Sequence, residues 1–162
     1  MFTFCVLTSS DSCYQGTREN LSGALIDNYL TAMGFNLSNS TIVPDEKDAI
    51  VSTISEWADS GDVNLIITTG GTGLGPRDVT PEATMSVIDR FVPGIAEALR
   101  HSGMQHTPMA MLGRGVAGLR GKCLIINLPG SPNAVQECLD ILKIPLSHAL
   151  ELTTKQTFEH NI

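Results

Sequence analysis

Three aspartates are the residues of this chain best suited to chemistry on phosphates. Each lies just past a predicted strand: Asp11 after residues 2–8, Asp45 after residues 40–43, and Asp78 after residues 63–69 and a glycine-rich turn. Carboxylates hold Mg²⁺ beside phosphate oxygens. Taken singly, Asp11 could be a cap or an Asx turn, Asp45 a helix N-cap, and Asp78 a turn residue. Their coincidence at equivalent strand ends favours a shared function, because a parallel sheet would place them around one crevice.

A glycine-dense turn separates Asp78 from the strand before it. Within the run from Thr68 to Ala83 the glycines are Gly70, Gly71, Gly73 and Gly75. Glycine has no β-carbon, so backbone N–H groups in such a turn can approach an anion closely. A lone glycine pair usually makes only a tight turn, but this density, followed by Arg-Asp, favours a phosphate site.

Two familiar phosphate motifs do not account for this turn. Counted from Gly70, a P-loop would need lysine at the position of Pro76. The dinucleotide-binding fingerprint would need a third glycine or alanine at the same position. A nucleotide is therefore expected to be held by backbone groups and a metal ion.

A helix is predicted directly after the turn. Thr80 is suited to cap it, Pro81 to occupy its first position, and Glu82 to complement its dipole. Residues with helical spacing then follow at Thr84, Val87, Ile88 and Phe91. The pattern predicts that this helix extends to Phe91.

Strand and helix patterns alternate along the chain. Strands are predicted at residues 2–8, 40–43, 63–69 and 123–128. Helical stripes run from Leu25 to Met33, from Ile50 to Trp57 and from Val135 to Leu142, and Pro145 is expected to separate the last from a helix near 146–155. The alternation predicts an α/β fold, a doubly wound and mostly parallel sheet flanked by helices on both faces. Segment 108–121 could form a short edge hairpin.

Composition indicates a single domain, assigned to residues 1–162. The chain is 42% hydrophobic and 17% charged, and no linker or repeat divides it. A net charge of −7 argues against nucleic acid as a partner. No apolar run approaches the roughly 20 residues of a membrane span, and the first residues lack the basic flank of a signal peptide.

The acidic balance and the cysteine and histidine spacings bear on cofactors. The negative charge of an anionic ligand would have to be compensated in this acidic protein. One route is a Mg²⁺ ion that bridges the ligand to acidic side chains. No CxxC pairing links Cys5, Cys13, Cys123 and Cys138, with Cys5 and Cys123 in predicted buried strands, which argues against disulfides or zinc and fits a reducing compartment. No helical metal pair is formed by His101, His106, His148 and His160, which are interpreted as structural or surface residues.

At these residues the chain resembles the MogA/MoaB-like molybdopterin-binding family, and within it the adenylyltransferase domain of gephyrin and its relatives. The matching motifs cover nearly the whole chain: Ser10-Asp11-Ser12, Ser22-Gly23, Val43-Pro44-Asp45-Glu46, the run from Thr68 to Thr84, Pro93-Gly94, Thr107-Pro108, Met111-Leu112, Gly118-Leu119-Arg120-Gly121, and the run from Leu124 to Pro132. The glycine run is highly specific by itself.

The resemblance implies a nucleotidyltransferase of molybdenum cofactor biosynthesis, molybdopterin adenylyltransferase. The terminal phosphate of molybdopterin would attack the α-phosphate of ATP with Mg²⁺ present, releasing pyrophosphate. Asp45 and Asp78 match the family's acidic catalytic positions and would position the metal. Arg77 would pair with a phosphate or buttress Asp78.

The resemblance also implies two sets of binding residues. The nucleotide phosphates would contact Gly70, Gly71, Thr72 and Gly73. Molybdopterin and its phosphate would contact Ser9, Asp11, Pro129, Gly130 and Ser131. Ser131 would contribute through a helix N-terminus, which attracts anions.

Two positions depart from the family pattern. Ser9-Ser10-Asp11 stands where relatives usually have Val-Ser-Asp, and Leu112-Gly113-Arg114 stands where many have Leu-Ser-Arg. If that family serine helps to hold the pterin phosphate, Gly113 removes a donor worth about 1 kcal/mol.

A second class of function stays open. Relatives occur as one domain of longer proteins that organise receptors and cytoskeleton through self-association, so the chain could be a molybdopterin-binding scaffold module. A scaffold would be free to lose Asp45, Asp78 or the glycine turn, and this chain keeps all of them. The resemblance also leads us to expect a homotrimer, a cytoplasmic location, and a molybdenum-insertase domain in the same or a partner protein.

Overall fold

A computed structural model describes residues 1–155, in which strands and helices alternate along the chain. The strands are β1 (Thr3–Ser9), β2 (Asn36–Val43), β3 (Leu65–Thr69), β4 (Arg90–Phe91), β5 (Ala117–Arg120) and β6 (Cys123–Leu128). The helices are α1 (Asp11–Tyr14), α2 (Leu21–Ala32), α3 (Lys47–Asp59), α4 (Thr80–Val87), α5 (Pro93–His106) and α6 (Pro132–Thr154), with a 3-10 turn over Pro108–Leu112.

These strands form one sheet in the order β2-β1-β3-β6-β5-β4. The first four in that order are parallel, whereas β5 and β4 run antiparallel to their neighbours. The predicted fold class is therefore confirmed. The chain moves outward from β1 to β2 and then returns to the other side of β1 to form β3. Ligands of doubly wound sheets bind beyond the carboxyl ends of the strands at such a reversal.

Side chains of the central strands alternate between two cores. On β1, Phe4 and Val6 face the core that includes α2 and α6, whereas Cys5 and Leu7 face the core that includes α3 and α4. Every residue of β3 and β6 is buried, because helices cover both faces of the sheet. The parallel pairing of β1, β3 and β6 between these cores places their carboxyl ends along one edge of the sheet.

The predicted helix break at Pro145 is wrong, because α6 runs through this residue without interruption. Proline in a helix interior costs about 3 kcal/mol through the lost hydrogen bond and a steric clash. The apolar stripe nevertheless continues beyond it, with Leu146 and Leu150 buried against the sheet. Burying a leucine contributes about 1.5–3 kcal/mol, so these two side chains offset the penalty.

The helix after the glycine turn is shorter than predicted. α4 ends at Val87, and Ile88 already has an extended backbone. Arg90 and Phe91 then pair with β5 as the edge strand β4, which leaves Phe91 59% exposed. Helical spacing alone did not reveal this change, because the pairing partner lies almost 30 residues further along the chain.

The segment 108–121 is only partly a strand. Pro108–Leu112 forms the 3-10 turn, and Ala117–Arg120 forms β5. The hairpin is made by β5 and β6, so its second strand lies outside the segment. The sequence patterns also did not reveal α5, in which only Ala96 is fully buried. These two regions lie next to each other and together carry one wall of the site described below.

Cys5 and Cys123 are buried in strands as predicted, and all four cysteines are free thiols. The interpretation of His160 as a structural or surface residue falls outside the described residues. Over residues 1–155 no helix combines the length and the apolar character needed to cross a membrane.

Candidate active site

Two pockets open side by side at the carboxyl edge of the sheet. The first, called the polar pocket, has a volume of about 660 Å³ and is lined mainly by residues 8–13, 18–22, 69–71 and 130–132 together with Asp45. The second, called the apolar pocket, has a volume of about 490 Å³ and is lined mainly by α5, the 3-10 turn, the segment 113–115 and the start of α6. Both volumes are in the range of small-molecule sites.

Three residues line both pockets, namely Gly71, Asp78 and Gly130, and they are called the shared wall. Of the residues that the resemblance assigned to the nucleotide, Gly70 lines the polar pocket, whereas Thr72 and Gly73 line the apolar one. The residues assigned to molybdopterin are also divided between them. Ser9, Asp11 and Ser131 line the polar pocket and Pro129 lines the apolar pocket. The structure thus brings all the predicted residues together, but around two pockets that meet.

A hydrogen-bond network joins the ends of β1 and β2 in the polar pocket. Ser9 Oγ donates to Asp45 Oδ1 at 2.7 Å, and the backbone N–H of Asp11 donates to Asp45 Oδ2 at 2.9 Å. The backbone N–H of Asp45 donates in return to Asp11 Oδ1 at 3.0 Å. Asp45 is therefore not the N-cap of α3, which is Glu46, and its carboxylate is fixed in place before any ligand arrives.

Arg77 crosses the outer rim of this network. Its Nε and Nη2 each lie 3.0 Å from the carboxylate of Asp11, and Nη2 also lies 2.9 Å from Glu46 Oε1. Hydrogen bonds from Arg77, with a further one from the Asp45 N–H, hold the pKa of Asp11 below its usual range. Arg77 thus holds the loop after β3 against the loops after β1 and β2 rather than buttressing Asp78.

Positive backbone angles set the start of the glycine turn. Gly70 has φ +90° and Gly71 has φ +67°, a region that side chains other than glycine rarely adopt. A β-carbon on Gly70 would overlap the carbonyl oxygen of Ser9. Thr80 Oγ1 donates to Gly70 O at 2.9 Å, so this hydroxyl secures the turn instead of capping α4, whose N-cap is Val79.

Arg114 holds the second half of the turn. Its Nε donates to Gly73 O at 2.8 Å and its Nη2 donates to Asp78 O at 2.7 Å, while Nη1 is paired with the carboxylate of Glu82. The backbone N–H of Arg114 also donates to Thr72 O at 2.9 Å. The pairing lowers the pKa of Glu82, so this ion pair persists below neutral pH. Four polar contacts from one residue therefore shape the wall around Asp78.

Within residues 1–155, the hydrogen bond of the Asp78 side chain is a local one. Its Oδ2 accepts from the backbone N–H of Gly75 at 2.8 Å, which agrees with its interpretation as a turn residue. The residue is half-buried and faces both pockets. A turn role and a functional role are compatible here, because a carboxylate retains further lone pairs after one such bond.

The turn after β6 completes the shared wall. Thr69 Oγ1 donates to Pro129 O at 2.6 Å and Ser22 Oγ donates to Gly130 O at 2.7 Å. Ser131 caps α6, since its hydroxyl accepts from Ala134 N at 3.3 Å. The turn is therefore tied to β3 and α2, and Ser131 and Pro132 at the N-terminus of the 23-residue α6 line the polar pocket.

Two arginines of the site were not singled out from the sequence. Arg114 follows a departure from the family pattern, and Arg100 lies on α5, which no pattern revealed. Pro93 at the start of α5 is the signal that could have located this helix, since proline favours the first helical turn. No local feature shows that Arg100 lines a pocket or that Arg114 binds the glycine turn.

The chemistry of the donor set fits Mg²⁺ without forming a complete cage. Within the described residues, no group of three or more His, Cys, Asp or Glu side chains could hold a metal ion. Mg²⁺ is commonly held by one or two carboxylates together with substrate phosphates and water. Asp45 and Asp78, which both line the polar pocket, provide such a partial set.

A covalent route through the thiol of the apolar pocket is disfavoured. Cys138 lines this pocket, but burial raises the pKa of its thiol to about 11. The thiol is therefore protonated near neutral pH, and thiols are weak nucleophiles in that form. The site is better suited to aligning two bound molecules than to forming a covalent intermediate.

Comparison with known proteins identifies the family to which the chain belongs. Residues 5–149 match the family model described as a probable molybdopterin binding domain. The chain belongs to this family. Over 95% of this chain and 97% of the other, the fold matches the crystal structure of the molybdopterin biosynthesis enzyme MoaB from Thermus thermophilus, with a TM-score of 0.90 and 47% identity. The resemblance stated from the motifs is thereby confirmed.

Two curated relatives show the range of proteins that contain the domain. The chain is 39% identical to molybdopterin adenylyltransferase of Helicobacter pylori strain J99, covering 91% of this chain and 85% of that protein. It is 40% identical to molybdenum cofactor synthesis protein cinnamon of Drosophila melanogaster, covering 93% of this chain. In the second case the chain spans only 25% of the relative's length.

Proposed function

We propose that the protein is a molybdopterin adenylyltransferase, which transfers AMP from ATP to the terminal phosphate of molybdopterin. The observation that carries this proposal is the shared wall, because a reaction between two bound substrates needs two pockets that meet at the reacting atoms. The similarity to an enzyme of that name in Helicobacter pylori supports the same conclusion.

The proposed reaction requires alignment and charge compensation more than covalent chemistry. A phosphate oxygen of molybdopterin would form a bond to the α-phosphorus of ATP, while the bond from that phosphorus to the bridging oxygen breaks and pyrophosphate leaves. Nucleotidyl transfer of this kind is accelerated by holding both groups in line and by stabilising the added negative charge. The N–H groups of residues 70–73 are proposed to contact the nucleotide phosphates.

The carboxylates are proposed to act as positioning groups for Mg²⁺. Asp45 and Asp78 would hold the ion, which when bound would neutralise phosphate charge beside the reacting phosphorus. Ser9 and the Asp11 N–H keep Asp45 oriented through the hydrogen bonds described above. We further propose that Ser9, Asp11 and residues 129–131 contact molybdopterin near the shared wall.

The test is a reconstitution with authentic molybdopterin, ATP and Mg²⁺. We expect adenylated molybdopterin and pyrophosphate in equal amounts, measured by chromatography of the products. Omission of Mg²⁺, with chelator added, should abolish product formation. Absence of adenylated product with active Helicobacter pylori enzyme as a positive control would overturn the proposal.

A second proposal, self-association, is supported by apolar side chains on the surface. Met109 and Met111 of the 3-10 turn are 63% and 61% exposed, and Ile144 on the outer side of α6 is 88% exposed. Large exposed apolar groups of this kind are favoured at interfaces between subunits. A homotrimer follows from the resemblance, and light scattering at micromolar concentration should give three times the mass of one chain. A monomer would contradict it.

The remaining expectations concern the cell. We propose a cytoplasmic location and cooperation with a molybdenum-insertase domain in the same or a partner protein. The relative in Drosophila melanogaster, of which this chain spans 25%, supports only that the domain occurs within longer proteins. Co-purification of the tagged protein from cytosol with an insertase activity would test both.

A further inference from the structure

The four carbonyl oxygens of residues 70–73 all accept hydrogen bonds from the protein. Thr80 holds the first two, because its Oγ1 donates to Gly70 O at 2.9 Å and its backbone N–H donates to Gly71 O at 3.1 Å. Arg114 holds the other two through the contacts described above. The acceptors of this turn are therefore satisfied before any ligand arrives.

The N–H groups of the same turn are mostly without partners. That of Gly70 donates to Leu128 O at 3.3 Å. Over residues 1–155, the N–H groups of Gly71, Thr72 and Gly73 have no hydrogen-bond partner. All three residues line a pocket, and Gly71 belongs to the shared wall. Three backbone donors are therefore available to a ligand at or next to the shared wall.

Peptide geometry links the held carbonyl groups to the available N–H groups. In a trans peptide the C=O of one residue and the N–H of the next point in opposite directions, and the peptide bonds of residues 1–155 are trans. A donor that holds Gly70 O therefore also sets the direction of the Gly71 N–H. Thr80 Oγ1 is that donor, so a residue that lines neither pocket orients a group of the shared wall.

The peptide between Gly70 and Gly71 has little else to prevent its rotation. Both residues have positive φ and no β-carbon, so no side chain opposes a flip of this peptide. After a flip, the carbonyl oxygen would take the direction of the N–H and would repel an anion. The hydroxyl of Thr80 opposes that flip. It is fully buried and packs directly against Gly71, where a β-carbon would overlap it.

We propose that Thr80 is a positioning residue, which keeps the Gly71 N–H directed at a phosphate of the nucleotide by holding the Gly70 carbonyl group. This inference rests on the proposed adenylyltransferase function for the identity of the anion. Successive N–H groups without competing carbonyl oxygens form an anion-binding concavity. The Thr80 hydroxyl makes the first peptide of the turn a donor to the anion, although this hydroxyl touches neither substrate.

The experiment measures the binding of inorganic tripolyphosphate with Mg²⁺, a probe that carries the charges of the ATP chain and does not depend on turnover. Dissociation constants are determined by calorimetry for wild type, Thr80→Val, Thr80→Ser and Thr53→Val. Valine has the shape of threonine but no hydroxyl. Thr53 Oγ1 donates to Ala49 O at 2.9 Å within α3, so Thr53→Val removes an equivalent hydrogen bond away from both pockets and is the matched control.

Thr80→Val should bind the probe about 10- to 100-fold more weakly, the size expected when a hydrogen bond to a charged group is lost. Thr80→Ser keeps the hydroxyl and should bind the probe as wild type does, and so should Thr53→Val. Urea unfolding should show that both valine variants are folded and lose similar stability. Unchanged affinity in folded Thr80→Val would overturn the proposal. An equal loss of affinity in both valine variants would also overturn it, because affinity would then follow stability rather than the turn.

A measurement on wild type keeps the test decisive if Thr80→Val does not fold. The amide proton of Gly71 should shift downfield in NMR spectra when the probe is added, because a hydrogen bond to an anionic oxygen is short and strong. No shift of this amide, or no binding by wild type, would overturn the proposal. The adenylation assay is run separately on wild type. Its failure would remove the proposed function and leave the measured effect of Thr80 on anion binding standing, so the two failures are distinguishable.

Discussion

The polar pocket and the apolar pocket lie side by side at the carboxyl edge of the sheet, but different parts of the chain build them. The polar pocket is made by loops that leave β1, β2, β3 and β6, and its groups are already hydrogen-bonded to one another, as in the network of Ser9, Asp11 and Asp45. The apolar pocket is made by α5, the 3-10 turn and α6. Its Arg100 donates hydrogen bonds through Nη1 to Gly113 O and Gly115 O.

This difference separates two requirements of a reaction between two phosphorylated substrates. A metal ion and a polyphosphate need charges held in fixed geometry, because reorganising them during the reaction is costly. A flat ring needs a shaped apolar surface with few charged groups, which the apolar pocket provides. The shared wall belongs to both pockets, so a substitution there is expected to have the largest effect on activity.

The largest effect is expected for Asp78→Asn, which changes a carboxylate facing both pockets. Turnover should fall by about 100- to 1,000-fold, as when one preorganised charge-stabilising group is removed from an active site. Asparagine keeps an oxygen that can accept from the Gly75 N–H, so the turn should stay folded. Steady-state kinetics with both substrates would measure the loss.

Asp89→Asn is the control for that change. Asp89 Oδ2 accepts from the backbone N–H of Gly121 at 2.7 Å, a similar local contact outside both pockets. It should leave turnover unchanged. If Asp78→Asn altered only the KM for ATP, Asp78 would belong to one pocket and the shared wall would not be the reaction centre.

A smaller loss is expected for Arg114→Met, which releases the turn on the side of the apolar pocket. Displacing the reacting groups by about 1 Å can cost up to roughly 100-fold in rate. Hydrogen exchange of the amides of residues 72–78 should become faster, as measured by mass spectrometry. Arg120→Met is the matched control, because Arg120 makes a comparable clamp between Asp59 and Val87 O away from the pockets. Equal exchange in both variants would contradict this role.

Gly70→Ala tests the polar side of the turn through stability. The positive φ of Gly70 costs alanine about 1–2 kcal/mol, and overlap with Ser9 O should add about 1–3 kcal/mol. Gly34→Ala isolates the first contribution, since Gly34 has φ +87° and open space around it. Urea unfolding should therefore show a larger loss for Gly70→Ala. Equal losses would show that the turn can move away from β1.

The smallest effect is expected for Arg77→Met at the exposed rim of the polar pocket. Arg77 lowers the pKa of Asp11 in the folded protein, so its contribution to stability is present above the ordinary value near 3.8 and is lost as pH falls through the lowered value. The difference in unfolding free energy between wild type and Arg77→Met should shrink as pH is lowered from 5 toward 2. Arg90→Met, which alters an exposed arginine away from both pockets, is the control.

Denaturant titrations at several pH values would measure that difference. A difference that stays constant from pH 5 to pH 2 would show that Arg77 acts through packing of its aliphatic part. The polar pocket would then be less preorganised by charge than the comparison with the apolar pocket suggests.

The sequence revealed most of the polar pocket because its residues lie next to the strands that position them. Asp11, Asp45 and the glycine turn each follow a short apolar run, so the strand pattern that predicts the sheet also predicts where these groups collect. The bounds of β6 were predicted to the residue, and those of β1 and β3 to within two residues. Parallel pairing then makes the carboxyl ends coincide by geometry.

The apolar pocket could not be predicted in the same way. α5 carries little buried apolar surface, and its arginine meets Gly113 and Gly115 only after the chain has turned back through the 3-10 segment. The same limit explains the shortened α4 and the unbroken α6. In each case packing against a segment distant in sequence outweighs the local conformational preference. For example, the packing of Leu146 and Leu150 in the core outweighs the helix-breaking preference of Pro145.

The sequence alone therefore determined the alternating α/β fold, the family, and the aspartates and glycines at the strand ends, because these depend on local patterns and on the geometry of parallel strands. Only the tertiary structure decided that the site consists of two pockets with Asp78 between them. Only it showed that Arg77 binds Asp11 and Glu46, that Arg114 holds the turn, and that Arg100 donates to Gly113 and Gly115. Side-chain pairing across distant segments depends on how helices pack, which no local pattern records.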